Sequence, residues 1–258
     1  MPELPDVEGY RRYFARYARG KAVAGVTVPA RDMLRNTNPA ALARSLRGQR
    51  FGSPDRHGKW LIAPTGGPVL VFHFGMTGRF NWAREGPLHR HDRVVLRFAD
   101  GTLRYRNMRK LGGVWVAPSA GEVDGITGPL GPDALDVDRE SFARLLAGRR
   151  GGLKATLMNQ RVIAGIGNEL SDEILWQARL HPSRGVRSLD VRRTRALHRV
   201  IRRVIAESNR HGHIPRKRTW ISSQRGVRSP RCPRCRGELR RSRIAGRSSY
   251  WCPRCQRE

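Results

Sequence analysis

All four cysteines of this chain fall within its last 27 residues, as Cys232-Pro-Arg-Cys235 and Cys252-Pro-Arg-Cys255. No other feature restricts the fold so tightly. Each pair fits one tight turn, and four thiolates can close a tetrahedron around Zn2+. In a reducing compartment this clustering reads as a metal site rather than as disulfides or a redox pair. The 16 residues between the pairs include GELRRSRIAGRSSYW, which reads as two short strands joined by a turn at Ala245-Gly246. Residues 228–258 are therefore expected to form a zinc β-hairpin module. Four protein ligands leave no open position, so this zinc is structural and takes no part in chemistry.

Charge comes next. The chain of 258 residues has 51 Lys plus Arg against 21 Asp plus Glu, a net charge of +30. Lysine occurs only at 21, 59, 110, 154 and 217, so the excess is almost entirely arginine. An Arg-rich genome filling solvated faces accounts for part of it. It does not account for the scarcity of acids around the cysteines, and nucleic acid leads as the partner class. No apolar run approaches the ~20 residues of a membrane span. The start lacks the basic-then-apolar pattern of a secretory signal. These features predict a soluble, intracellular protein with no membrane partner.

Along the chain the texture changes once. Residues 1–18 read as a short helix, with Pro2 and Pro5 at its entry and Glu3, Asp6 and Glu8 at its positive end. From about 22 to 116 the runs VAGVTV, KWLIA, PVLVFHFG, RVVLRFADGTLRYR and GGVWVA read as strands, with a hairpin turn at ADGT. Residues 117–133 are rich in Gly and Pro and read as a linker. Then DRESFARLLAGRR, KATLMNQ, GNELSDEILWQARL and DVRRTRALHRVIRRVIAESNR take helical periodicity. The predicted fold is α+β: an N-terminal helix and β-sandwich over 1–116, a linker over 117–133, a helical domain over 134–214, and a connector with the zinc finger over 215–258.

The stretch GIGNELSDEILWQARLHP, residues 165–182, brings a glycine turn to a helix start. Backbone N–H groups and the Asn168 amide there could hold a phosphate, with Lys154 and Arg161 close in sequence. An ordinary helical hairpin with a Gly turn explains the stretch equally well. The hairpin turn of the finger presents Arg243 and Arg247, which could enter a DNA groove.

MPELPDVE at the start, GKW with Lys59, HFGMTG at 73–78, LGPDAL at 130–135, GIGNELSDEILWQARLHP and the four-cysteine finger occur in this order. Each is weak alone. As an ordered set they resemble the formamidopyrimidine-DNA glycosylase / endonuclease VIII family of base-excision repair enzymes over essentially the whole chain. The resemblance implies a helix-two-turn-helix DNA-binding domain over 134–214. It also implies a bifunctional DNA glycosylase and AP lyase acting on duplex DNA with damaged bases or abasic sites, in the bacterial cytoplasm and associated with the nucleoid; a monomer is expected, since nothing in the sequence suggests an extra interface.

The resemblance assigns roles to residues. Removal of Met1, which a small second residue favours, exposes the secondary amine of Pro2. An α-amine has a reference pKa near ~8 and is partly unprotonated at neutral pH, as a nucleophile must be. Pro2 is thereby the expected nucleophile, Glu3 the acid–base group beside it, and Lys59 and Arg247 the phosphate contacts assisting catalysis. The DNA-binding set is Met76, His91, Arg109, Leu111, Arg149, Lys154 and Asn168. Met76, Arg109 and Leu111 stand where the family fills the gap left by a flipped nucleotide. Asp6 and Glu173 are supporting acids, and Cys232, Cys235, Cys252 and Cys255 hold one structural Zn2+. His73 reads equally as a phosphate contact or as a packed strand residue.

The chain departs from the family in places. Leu111 replaces a Phe, Asp6 a Glu, and Leu170 a common aromatic. Only about 20 residues join the last helix to Cys232, without the loop that covers a flipped oxidised purine. PELP favours the oxidised-purine branch and the short connector the oxidised-pyrimidine one. A paralogue that binds damaged DNA without catalysis, or acts only as a lyase, is the alternative. An RNA-binding zinc-ribbon protein would explain the charge and the finger but not the N-terminus.

Overall fold

The structure, a computed structural model, describes residues 1–256. It divides into two units: Met1–Pro2 with Asp6–Pro129, and Glu3–Pro5 with Leu130 onward. The helix predicted at the start, α1 (Leu4–Ala18), therefore begins in the second unit and continues in the first.

The first unit is built on two four-stranded antiparallel sheets. In chain order the strands are β1 (Gly25–Thr27), β2 (Asp55–His57), β3 (Trp60–Pro64), β4 (Val69–His73), β5 (Arg79–Ala83), β6 (Asp92–Phe98), β7 (Gly101–Arg106) and β8 (Gly113–Ala117). One sheet runs β1-β6-β7-β5 and the other β2-β3-β4-β8. Alternation supplies the core: Leu61, Ala63, Leu70 and Phe72 of one sheet join Phe80, Val94, Leu96, Leu103 and Tyr105 of the other, with Val7, Phe14 and Ala18 of α1. The ADGT turn is a two-residue connection, with Phe98 paired to Gly101.

Several short elements escaped the sequence reading. The short helix α2 (Pro39–Leu46) is announced by Asn38-Pro39, in which Asn38 Oδ1 accepts from the Ala41 amide and Pro39 stands in the first turn. A turn of 3-10 helix lies at Arg31–Met33. The supposed linker contains α3 (Val123–Thr127), whose Val123 and Ile126 cover the outer face of the second sheet at Val69, Val71 and Trp115. Gly and Pro frame this helix rather than prevent it.

The second unit is helical, with α4 (Arg139–Leu146), α5 (Leu153–Met158), α6 (Asn168–Gln177) and α7 (Val191–His211). Asp138 caps α4, and Asp190 caps α7. Gly212, at φ 68°, closes α7 in the left-handed region where a side chain is disfavoured. Leu197, Val200, Ile201, Val204 and Ile205 form the buried stripe of α7, leaving its arginines outward. The finger is the hairpin β9 (Arg240–Ile244) and β10 (Arg247–Trp251). Ala245 and Gly246, at φ 50° and 73°, give it the tight left-handed turn that matches strand twist.

The connector from His211 to Arg231 is basic but not loose. Ile214, Trp220, Ile221 and Ser222 are buried, and Ile221 to Gln224 form a 3-10 turn. Among the described residues, no helix is long and apolar enough to cross a membrane.

Candidate active site and nucleic-acid interface

The start of α6 is organised by a residue far away in sequence. Glu3, 2% exposed, accepts the backbone N–H groups of Gly167 at 2.9 Å, Glu169 at 2.8 Å and Leu170 at 3.0 Å. Three of the donors that a helix leaves unpaired at its N-terminus are thus met by one carboxylate, which also sits at the positive end of the helix dipole. The glycines of GIG are required here. A Cβ on Gly167 would lie 2.2 Å from the Glu3 carboxyl carbon, and Gly165 adopts φ +105° against Leu4. This corrects the expectation of a phosphate cradle made by these amides, because Glu3 already occupies them.

Asn168 and Lys154 belong to one buried network. The Lys154 ammonium is fully buried and donates to Asn168 Oδ1 at 2.7 Å, Asp172 Oδ1 at 2.5 Å and the Ser249 hydroxyl. Asp172 also accepts from Arg225 Nη2 at 2.5 Å and the Tyr250 amide at 3.0 Å. The Asn168 Nδ2 donates to the Ser248 carbonyl at 3.0 Å. Burial pulls the Lys154 ammonium below the usual lysine range, opposed by the Asp172 charge. Burial pulls Asp172 above the usual carboxylate range, opposed by Lys154 and Arg225. Lys154 therefore faces inward, not toward a ligand, because an ammonium with no solvent contact must spend its donors on protein acceptors. The network ties α6 to β10 and so fixes the hairpin that carries Arg243 and Arg247, both exposed. Asp172, Arg225 and Ser249 were missed in the sequence. SDEIL carried a hint, since an acid just over one turn into a buried helix needs a cation.

Glu173 is fully buried as well. It accepts from the Ser222 amide at 2.9 Å and Gln177 Nε2 at 2.8 Å, and burial pushes its pKa up to about 7. It secures the connector rather than reaching toward the Glu3 end of α6. Arg149, just after α4, is half-buried, with its Nε on the Leu145 carbonyl at 2.6 Å.

In the first unit, two loops meet. Arg109 Nη1 donates to Met76 Sδ at 3.1 Å, and the Arg109 amide donates to Thr77 Oγ1 at 3.0 Å. A Cβ on Gly75 would lie 2.5 Å from the Leu111 carbonyl carbon, so the backbones of the two loops are in contact. Asn107, fully buried, holds both by accepting from Thr77 Oγ1 and the Lys110 amide at 3.0 Å. The side chains remain outside: Met76 is 37%, Met108 56% and Leu111 54% exposed. Met108 is an apolar residue of this loop that the sequence reading left out.

Lys59 occupies the turn between β2 and β3, after Gly58 at φ 56°. Its charge, with burial as the larger cause, holds His73 down to about 4. The His73 ring packs on Trp60 at 4.7 Å, and its Nδ1 accepts from the Gly75 amide. His73 is therefore a packed strand residue. His91 stands apart, before β6, with its Nδ1 on Arg93 Nη2 at 3.2 Å. Burial is the first cause of its lowered pKa, with Arg90 and His89 next. Pro2 and Asp6 are half-buried. Glu8 pairs with Arg11 at 2.7 Å, Arg12 at 3.1 Å and Arg56 at 3.5 Å.

The four cysteine sulfurs lie within 4.8 Å of one another, with 3.8 Å between Cys232 and Cys255 and 3.5 Å between Cys235 and Cys252. A tetrahedron with Zn–S bonds near 2.3 Å has edges of about 3.8 Å. The donor set fits one structural Zn2+.

Three family models account for most of the chain. They are the formamidopyrimidine-DNA glycosylase N-terminal domain at residues 1–114, the formamidopyrimidine-DNA glycosylase H2TH domain at 130–217, and the zinc finger found in FPG and IleRS at 229–257. A fold of this kind, with a helical H2TH domain and a four-cysteine finger after a two-sheet domain, defines a class of DNA glycosylases. The formamidopyrimidine-DNA glycosylase of Alkalilimnicola ehrlichii is 35% identical, the match covering 100% of both chains. That of Symbiobacterium thermophilum is 34% identical over 99% of this chain and 89% of its own. The Lactococcus lactis Fpg (MutM), solved with DNA containing N7-benzyl-Fapy-dG, superposes with a TM-score of 0.90 at 28% identity, covering 100% of both chains. The chain belongs to the formamidopyrimidine-DNA glycosylase family.

Proposed function

We propose that this protein is a bifunctional DNA glycosylase and AP lyase that removes oxidised bases, ring-opened formamidopyrimidines among them, from duplex DNA. The observation that carries the reading is the threefold capping of α6 by Glu3. It anchors the residue next to Pro2 in a fixed, buried place, as positioned covalent catalysis demands. The DNA in the solved neighbours supports it: Lactococcus lactis Fpg is bound to Fapy-type DNA and to abasic-site DNA.

With Met1 removed, the Pro2 nitrogen attacks C1′ of the damaged nucleotide, and the C1′–base bond breaks. The base leaves with its electron pair and takes up the proton shed by the Pro2 nitrogen, leaving an N,O-acetal at C1′; protonation of the ring oxygen then breaks the C1′–O4′ bond, giving a 4′ hydroxyl and an iminium between Pro2 and C1′. The iminium acidifies the 2′ protons; loss of one breaks the 3′ C–O bond, and a second elimination releases the 5′ phosphate. Glu3 serves proton movement during sugar-ring opening. Lys59 and Arg247 hold phosphates flanking the lesion. Met76, Arg109 and Leu111, solvent-exposed and joined by the Arg109–Met76 contact, fill the space of the flipped nucleotide. His91, Asn168 and Arg149 add contacts to the backbone, Asp6 supports the Pro2 end, and Lys154 positions Asn168 and the hairpin from beneath. The zinc held by Cys232, Cys235, Cys252 and Cys255 keeps the finger folded. Such an enzyme works in the cytoplasm, on nucleoid DNA.

Borohydride trapping tests the reading. Duplexes with an abasic site, 8-oxoguanine, a formamidopyrimidine or an oxidised pyrimidine should give a covalent adduct that Pro2→Gly abolishes. An adduct on the abasic duplex alone would reduce the protein to a lyase. Tight binding with no adduct on any duplex would make it a non-catalytic damage binder.

A further inference from the structure

A partly buried carboxylate in the second unit receives no donor from the protein. The buried acids Glu3, Glu8, Asp92, Asp133, Asp172 and Glu173 all accept hydrogen bonds from the backbone or from side chains. Half-buried Glu207 pairs with Arg210 and Lys217. Glu169 is half-buried too, yet among the described residues no hydrogen bond or ion pair reaches its carboxylate. An exposed acid needs no protein donor, because water serves it. A half-buried one without donors carries a desolvation cost.

An acid in the first turn of a helix ordinarily answers the dipole and the free amides. At α6 that place is taken, because Glu3 accepts the amides of Gly167, Glu169 and Leu170. Glu169 is therefore a second carboxylate at the same helix end. Burial pulls its carboxyl above the usual carboxylate range; the charge of Arg225 opposes this, that of Glu3 adds to it, and that of Arg216 opposes it. Arg225 stands near without closing a pair. Its Nη2 is committed to Asp172 Oδ2 at 2.5 Å and reaches the Asn168 carbonyl at 3.3 Å. Asp172 lies three residues beyond Glu169, on the same face of α6. The guanidinium thus lends Glu169 its charge but not its hydrogen bonds.

Glu169 also adjoins the proposed chemistry. Its amide donates to Glu3 Oε1 at 2.8 Å, and Glu3 follows Pro2 by a single peptide bond. The base to be expelled hangs on the same C1′ that the Pro2 nitrogen attacks, so it is presented at this end of α6. A carboxylate repels a phosphate, whereas the N–H groups of a base are the donors that Glu169 lacks.

We infer that Glu169 reads the Watson–Crick edge of the flipped base and makes the enzyme selective for lesions derived from guanine, a role that rests on the function proposed above. An ionised carboxylate offers two acceptor oxygens side by side. 8-Oxoguanine and the guanine-derived formamidopyrimidine offer two donors side by side, the ring N–H and the neighbouring amino group. The adenine-derived formamidopyrimidine offers an amino donor beside a ring-nitrogen acceptor, as do oxidised cytosines. Oxidised thymines offer one N–H between two carbonyl acceptors. Each of these sets a lone pair against a carboxylate oxygen, a mismatch that discriminates by repulsion as well as by a lost bond. Undamaged guanine carries the same edge, so Glu169 reports the parent base and other groups must sense the damage.

The test compares kcat/KM for excision of the guanine-derived and the adenine-derived formamidopyrimidine from otherwise identical duplexes. It uses the full-length zinc-loaded protein and its Glu169→Gln variant. The parent should favour the guanine-derived lesion on the order of tenfold or more. Gln keeps the shape of Glu but offers one acceptor and one donor, the complement of the adenine-derived edge. The preference should therefore fall to near parity or reverse. A purely structural defect would slow both lesions alike and leave their ratio unchanged; that outcome would overturn the inference. Borohydride trapping of the parent on an abasic duplex runs alongside, since that substrate has no base to be read. An adduct there with equal excision of the two lesions would overturn the inference and leave the proposed function standing. No adduct on any duplex would overturn both.

Discussion

The Glu3 carboxylate occupies the space where a Cβ on Gly167 would have to sit, its Oε1 2.4 Å from that position, while its Oε2 accepts the Gly167 amide at 2.9 Å. Glycine and carboxylate define one another. Gly167→Ala must displace Glu3 and with it the three amide bonds that cap α6. The expected loss is about 2–3 kcal/mol, from overpacking and from broken bonds to a charged acceptor. Trapping on an abasic duplex should fall further than DNA affinity does. A variant that melts and traps like the parent would refute the capping argument.

The Lys154–Asp172 contact should behave as a buried pair. Asp172→Asn leaves the Lys154 ammonium poorly compensated, at a cost of about 3–5 kcal/mol. Adding Lys154→Met to that variant should recover a substantial part, because no charge is then stranded. Urea unfolding of the parent, the single and the double variant checks the order. A double variant less stable than Asp172→Asn would count against it.

Glu173 gives a pH dependence of definite sign. Its folded pKa is raised from 4.5 to about 7 by burial. Between those values the folded state keeps a proton that the unfolded state has lost, so this group's contribution to stability falls as pH rises. The whole effect is on the order of 3 kcal/mol. Glu173→Gln still accepts the Ser222 amide and removes the titration. Relative to the parent it should gain stability between pH about 5 and about 8, measured by guanidinium unfolding at each. A parallel pH response in both proteins would contradict the raised pKa.

Zinc removal should unfold the finger and leave the α6 cap in place. The Trp176 indole donates to Cys232 Sγ at 3.4 Å, and Trp251 closes β10 beside Cys252. Chelation should therefore shift tryptophan emission and weaken DNA binding, because metal binding and folding of such modules are coupled. Unchanged emission with full DNA affinity would mean that the hairpin stands without metal.

Met76→Ala and Leu111→Ala test the exposed loops. Both side chains lie outside the core, so stability should change by no more than about 0.5 kcal/mol. Cutting of a base lesion should nonetheless drop at least tenfold, while cutting of a preformed abasic site is affected less. Equal losses on both substrates would argue against a role in holding the duplex open.

Local rules made much of the fold readable. Cys232 to Cys255 betrayed the metal module by spacing, Ala245-Gly246 the hairpin turn by backbone demand, and Leu197, Ile201, Val204 and Ile205 the buried face of α7 by period. Two short helices were lost for opposite reasons. Asn38-Pro39 carried a capping signal, but α2 is brief and lies among strands, whereas α3 is hidden by flanking Gly and Pro. The candidate site was readable as a set of residue types, but not as directions in which side chains point. Lys154 resembles any phosphate-binding lysine until Asp172, 18 residues on, and Ser249, 95 residues on, are seen to enclose it. The amides after GIG resemble an open anion site until Glu3 fills it. Both facts belong to tertiary structure, which a window of neighbours does not contain.

The capping of α6 by Glu3 also bears on how the chain is made. Its bonding partners lie 164 to 167 residues downstream, so Glu3 cannot take its final place until Leu170 has left the ribosome. During vectorial synthesis the stretch Glu3–Pro5 must wait, even while the two sheets that come after it are free to close. Residues made before either sheet are thus among the last to settle.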